Sequence, residues 1–341
     1  MADPALVFVH GRNQQMPQTA RRSPAAEAAF VARKKQGWLA GLAKGLVLAG
    51  LPAVREADVR FPYYGNPFVD AIAEYDRKGG RRPNLVLEPG AELAAEPGAA
   101  APGPPPSADA LILEAAAELG FSPGREVVTG EPDDELVDAW DNRAAGAELD
   151  LGPLLRPRLL RSALQYIARK TGATELVIER FLTDVGYYLD VPEIRSLVLD
   201  IVAGEVRKAA DEHGSVVVVA HSLGSIVGYD LFDVLGGDVD VRLLVTTGSP
   251  LGFPIVKGNL LPGGLRDRAA PTAVSGAVPW LNAFDVQDFV ALVHPLRQSY
   301  GDAVVDERTF NPSDPHSIAD YLSDPDVARP IGRVLGGGAP W

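Results

Sequence analysis

Val216-Val217-Val218-Val219-Ala220-His221-Ser222-Leu223-Gly224-Ser225 is the stretch on which the reading of this 341-residue chain turns. Four successive valines suit a strand buried on both faces, because β-branched side chains pack well on a pleated sheet and no polar residue interrupts them. A turn bearing Ser222 follows at once, and a helical pattern runs from Ser222 to Leu235. Ala220 and Gly224, two residues to either side of the serine, are small enough to let strand and helix approach closely, leaving the hydroxyl in a strained turn. Such turns more often have glycine at the position of Ala220, whose single methyl still fits. The plain alternative for Ser222 is a helix N-cap; the valine strand before it favours a nucleophile.

Strand and helix patterns alternate on both sides of this segment. Leu6-Val7-Phe8-Val9 is a short apolar run closed by His10-Gly11, and Ser23 caps a helix predicted from Pro24 to about Gly50. Asp58 to Phe61 reads as a second strand, Glu193 to Glu212 as a helix, and Val241 to Val245, Val278 to Phe284 and Ala303 to Phe310 as further strands. This alternation implies an α/β fold with a mostly parallel sheet of about six strands, flanked by helices. Residues 81–108 are dominated by Pro, Gly and Ala and read as a linker. Residues 109–190 have a helical pattern, with Leu111-Ile112-Leu113 and Leu159-Leu160 among the candidate core positions, and read as an inserted helical unit. Residues 1–80 and 191–341 then form one discontinuous domain.

Composition narrows the function. With 32 Lys+Arg against 45 Asp+Glu, the net charge of −13 offers no clustered positive field for nucleic acid. An apolar fraction of 46% supports a packed core. The absence of cysteine excludes a thiol nucleophile, disulfides and thiolate metal sites. No basic, apolar leader is apparent, and the longest apolar stretch, Gly45 to Val54, is too short to span a bilayer and contains Pro52. A soluble, cytoplasmic protein is expected.

A serine hydroxyl needs a base, and the base needs an orienting acid. Two histidines follow Ser222, His294 and His316. His316 lies in a turn-rich segment beyond the last predicted strand, where the active site of an open parallel sheet is expected. His294, before Pro295, suits a packed, structural role. The acid is either Asp285 or Asp288, both just after the strand ending at Phe284; residue chemistry alone does not separate them. An oxyanion site needs two N–H donors: Leu223, directly after the nucleophile, and Arg12, in the loop after the first strand, where Gly11 permits a close approach. His10 reads as loop scaffold, His213 as a helix end and His221 as the variable position of the turn.

Together these features resemble the α/β-hydrolase superfamily, specifically its lipase- and esterase-like serine hydrolases. The resemblance rests on Val7-Phe8-Val9-His10-Gly11, on Ala220-His221-Ser222-Leu223-Gly224-Ser225 and on Thr247-Gly248-Ser249-Pro250-Leu251-Gly252. It extends through Trp280-Leu281-Asn282, Asp288-Phe289-Val290 and His316-Ser317-Ile318 with Tyr321-Leu322. It covers about residues 5–80 and 190–335, and the family's usual first two strands have no counterpart. It favours Asp288 over Asp285 and implies ester hydrolysis through an acyl-enzyme. In that scheme Ser222 is the nucleophile, His316 the base and Asp288 its partner, with Leu223 and Arg12 around the oxyanion and no metal or organic cofactor. Residues 109–190 fall where that family inserts a cap or lid. A thioesterase, amidase or acyltransferase would use the same residues, and a non-catalytic ligand-binding protein would not need all of them.

The substrate is read only as a small-molecule or lipid acyl ester. Phe181, Tyr187 and Tyr188 could line an acyl pocket, although the core of the helical insertion is the simpler role for most of them. Arg156, Arg158, Arg161, Arg169 and Lys170 form a basic cluster on a predicted helix. Such a cluster suits either transient contact with an anionic membrane surface or a solvated helix face; the second is the simpler reading.

Overall fold

The computed structural model describes residues 3–12, 14–17, 20–21, 23–79, 107–122, 155–261 and 278–341, with backbone alone at 155–158. Its strands are β1 (Ala5–Val9), β2 (Val59–Arg60), β3 (Val216–His221), β4 (Val241–Thr247), β5 (Trp280–Asp285) and β6 (Val304–Thr309). They form one six-stranded sheet in the order β2-β1-β3-β4-β5-β6, and every neighbouring pair is parallel. The valine strand β3 is central, with Val7 opposite Val218 and Val9 opposite Ala220.

Both faces of the sheet are covered, and the two-residue period of the strands divides the core. Val7, Val9, Val216, Val218 and Ala220 face one apolar layer. Leu6, Phe8, Val217 and Val219 face the other. The second layer is closed by Trp38, Leu42 and Leu46 of the helix Pro24–Leu48, together with Val327 and Ile331 of the helix Pro325–Leu335. Ser23 caps the first of these helices, its Oγ accepting the Ala26 N–H at 3.2 Å.

The first layer is closed by the helices Pro192–His213 and Leu223–Leu235 and by three helices of the predicted insertion, Ser107–Glu118, Leu155–Thr171 and Glu175–Asp190. Leu111, Leu159 and Ile178 of those three belong to the same continuous core as β1 and β3. A small contact brings two of them together: a Cβ on Gly186 would lie 2.8 Å from the Ala108 methyl.

Several boundaries differ from the sequence reading. Residues 80–106 lie outside the described residues, but Ser107 and Ala108, read as the end of the linker, are helical. The Asp190 carboxylate explains this, since it accepts both the N–H and the hydroxyl of Ser107. The strand read over Val278–Phe284 begins at Trp280, because Pro279 has no N–H to donate; its carbonyl still accepts from Leu244 N at 2.9 Å. The second strand shrinks to Val59–Arg60 between a 3₁₀ turn ending at Asp58 and Pro62. Among the described residues no helix is long and apolar enough to cross a membrane.

Candidate active site

Ser222 sits between β3 and the helix Leu223–Leu235 with φ 61° and ψ −133°. It is the one non-glycine residue with positive φ among the described residues, a conformation costing about 1–3 kcal/mol that persists only where its surroundings enforce it. Those surroundings are backbone. A Cβ on Gly11 would lie 2.5 Å from Ser222 Cβ, and one on Gly224 2.4 Å from the Val9 carbonyl oxygen, so the loop after β1, the serine turn and the helix start are in direct contact. The Ser222 N–H donates to Thr247 O at 3.1 Å. Although Ser222 occupies the N-cap position, its side chain makes no capping hydrogen bond.

Its hydroxyl donates instead to His316 Nε2, 3.0 Å away, and the His316 Nδ1–H donates to Asp288 Oδ2 at 2.8 Å. The expected base and one of the two expected acids therefore converge on the serine. Asp288 is buried and fully hydrogen-bonded. Its Oδ1 accepts from Val290 N at 2.9 Å and its Oδ2 also accepts the Tyr321 hydroxyl at 2.9 Å. Asp285, equally buried, does something else: its carboxylate accepts the N–H groups of Gln287 at 2.8 Å and Asn311 at 2.7 Å. It ties the loop after β5 to the loop after β6. His294 makes other contacts: its Nδ1–H donates to Ala291 O at 2.8 Å and its ring stacks on Phe284 with centroids 4.3 Å apart.

The other two histidines near the site are structural and uncharged. His10 Nδ1–H donates to Gly11 O at 2.7 Å while its Nε2 accepts from Tyr64 N at 3.2 Å, and the two rings stack at 4.0 Å. Burial holds its pKa down at about 4. His221 Nε2–H donates to the His316 carbonyl at 3.0 Å, and the rings lie 4.5 Å apart. Burial, then the neighbouring His316 and His10, push its pKa well below the ordinary value. The backbone of His316 is thus pinned at both groups, because Asp314 Oδ1 accepts its N–H at 3.0 Å.

Leu223 and Arg12 both adjoin the serine. Neither backbone N–H has an acceptor among the described residues, as first-turn helix amides and loop amides at a ligand site often do not. The side chain of Arg12 forms an ion pair with Asp184 of the helix Glu175–Asp190. Burial pushes the Asp184 carboxyl up, against the pull of Arg12.

A cleft of about 690 Å³ opens above Ser222, Asp288 and His316. Trp38, Val177, Phe181 and Phe289 give it an apolar wall, and Arg12, Arg33 and Lys34 supply cationic side chains. Of the aromatic residues considered for such a pocket, Phe181 lines the cleft; Tyr187 instead donates to Asp76 Oδ1 at 2.7 Å and Tyr188 to Asp230 Oδ2 at 3.0 Å. The side chains of Arg156 and Arg158 lie outside the described residues. Arg161, Arg169 and Lys170 are exposed, with Arg169 and Lys170 over the Tyr166 ring, as on a solvated face. Among the described residues no cluster of His, Asp and Glu is arranged to hold a metal ion.

Three contributors carry no assigned role in the sequence reading. Tyr321 supplies a second donor to Asp288. Gly248, at φ +53°, leaves the space that Asp288 and His316 share: a Cβ there would lie 2.7 Å from Asp288 Oδ2 and 3.0 Å from His316 Nδ1. Its signal is a glycine directly after the strand beside β3. Asp184 has no such signal, being 172 residues from Arg12. Comparison with protein-family models, curated proteins and solved structures finds no match to this chain, so the functional reading rests on the geometry of this site.

Proposed function

We propose that the chain is a serine hydrolase of the α/β-hydrolase type that cleaves a carboxylic ester through an acyl-enzyme. The observation that carries this reading is the continuous hydrogen-bonded array Ser222–His316–Asp288, with distances of 3.0 and 2.8 Å, built on a strained serine turn. In the proposed reaction Ser222 Oγ attacks the ester carbonyl carbon as His316 Nε2 takes its proton. Asp288 holds the Nδ1–H side of the resulting imidazolium, and the N–H groups of Leu223 and Arg12 receive the oxyanion. Collapse of the tetrahedral intermediate breaks the bond to the alkoxy oxygen, which leaves with the proton from His316. Water, activated by the same imidazole, then attacks the acyl-enzyme, releasing the carboxylic acid and restoring Ser222.

Labelling with a fluorophosphonate, together with p-nitrophenyl esters of graded chain length, tests this reading. Labelling is expected in the native protein and absent in Ser222→Ala. Asp288→Asn is expected to lower kcat by about 10⁴, by analogy with loss of the orienting carboxylate in serine proteases. Asp285→Asn is expected to remain labelled and to lose about 1–3 kcal/mol of stability, because one of its two N–H partners would face an amide. Absence of Ser222-dependent labelling overturns the proposal. Loss of labelling in Asp285→Asn with full retention in Asp288→Asn reassigns the acid.

A further inference from the structure

The cleft is chemically two-sided. Val177, Phe181 and Phe289 form one wall, and Val177 keeps 43% of its surface exposed. Opposite in character, Arg33 and Lys34 come from the helix Pro24–Leu48. The two nearby carboxylates already have partners: Asp288 is buried against His316 and Tyr321, and Asp314 accepts the His316 N–H. The Arg12 guanidinium is matched by Asp184. Arg33 and Lys34 differ, since among the described residues neither has a carboxylate within ion-pair distance. The Lys34 ammonium lies over the Phe30 ring at 5.3 Å. It is half-buried rather than free in solvent, and this burial lowers its pKa. A desolvated cation without a counter-charge is unfavourable unless something anionic joins it.

The net charge of −13 sharpens the point. An acidic molecule repels anions at long range, but that repulsion is screened beyond about 8 Å in physiological salt. A pair of cations inside the cleft acts below that distance, by contact, and so selects rather than attracts.

We propose that the substrate carries an anionic group, carboxylate or phosphate, which Lys34 and Arg33 hold while the Val177–Phe181–Phe289 wall takes its apolar portion. That the anion belongs to a substrate rests on the hydrolase reading above; the anion subsite does not. Calorimetric titration of Ser222→Ala with hexanoate, hexyl phosphate and hexanol separates the two. The carboxylate or the phosphate, or both, should bind at least tenfold more tightly than the neutral alcohol, and the arm that gains identifies the anion. Adding Lys34→Gln should remove most of that preference, Lys34→Glu should reverse it, and Arg33→Gln, at an exposed position, should weaken it less; thermal melts verify that each variant is folded. Equal binding of all three ligands, or a preference that survives Lys34→Gln combined with Arg33→Gln, overturns the proposal. If fluorophosphonate fails to label Ser222 while the Lys34-dependent preference remains, the hydrolase reading falls and the anion subsite stands. Labelling without a preference removes the subsite and leaves the hydrolase reading in place.

Discussion

At the floor of the cleft, three backbone segments touch one another at Gly11, Ser222 and Gly224, while the helical wall above, residues 171–184, meets the floor through side chains such as Phe181 and the Arg12–Asp184 ion pair. Backbone contacts have no rotamers to adjust, so an added methyl must displace a strand or a helix. Side-chain contacts can relax. The difference separates what fixes the Ser222–His316–Asp288 array from what shapes the cleft above it. The floor also contains the buried neutral imidazoles of His10 and His221, whereas residues 155–190 contain no histidine.

That contrast has measurable consequences. The largest is with pH. The unfolded chain binds a proton at His10 near the ordinary 6.5, but the folded chain refuses it until about 4. Unfolding therefore takes up protons in this window, and stability falls as pH drops through it. Between pH 7 and 5 His10 should account for a loss of about 2 kcal/mol, and His221, shifted in the same direction, adds to it. Urea unfolding at both pH values measures the loss; equal stability would show that the floor is not built on neutral histidines.

Next comes Gly248→Ala. The new methyl would press on Asp288 and His316 at a left-handed backbone position, and a displacement approaching 1 Å costs about 10² in rate. Steady-state kinetics should show the loss mainly in kcat, with KM little changed. A KM effect alone would mean that Gly248 shapes the binding space instead.

The smallest effect belongs to the wall. Asp184→Asn leaves Arg12 without its counter-charge at a partly exposed site, for which about 1 kcal/mol of stability is expected after solvent screening. Thermal unfolding measures it, and a loss as large as that at the floor would erase the distinction between the two regions.

The sequence was most informative where one residue type repeats. A run of valines has few structural alternatives, and β3 with its serine turn lies where the pattern places it. The parallel sheet followed from the same alternation of short apolar runs and helices. Which aspartate joins His316 was less legible for a physical reason. Asp285 and Asp288 are each 1% exposed and three residues apart, and they differ only in what surrounds them: backbone amides from two loops for one, His316 and Tyr321 for the other. Arg12 and Asp184 were legible separately as charges but not as a pair, because nothing local reports a contact across so long a separation. The same holds for Lys34, which reads as one more helix-surface lysine until the cleft is assembled.

The strand order has a consequence during synthesis. β1 takes its place between the edge strand β2 and the central β3 by pairing along its whole length with β3, from Ala5 opposite Val216 to Val9 opposite Ala220. At translation speeds of about 5–20 residues per second, roughly 10–40 s separate the emergence of these partners. For that interval the edge of β1 that faces β3 is unpaired, and the hydrogen bond between Ser222 and His316 waits on a further 94 residues.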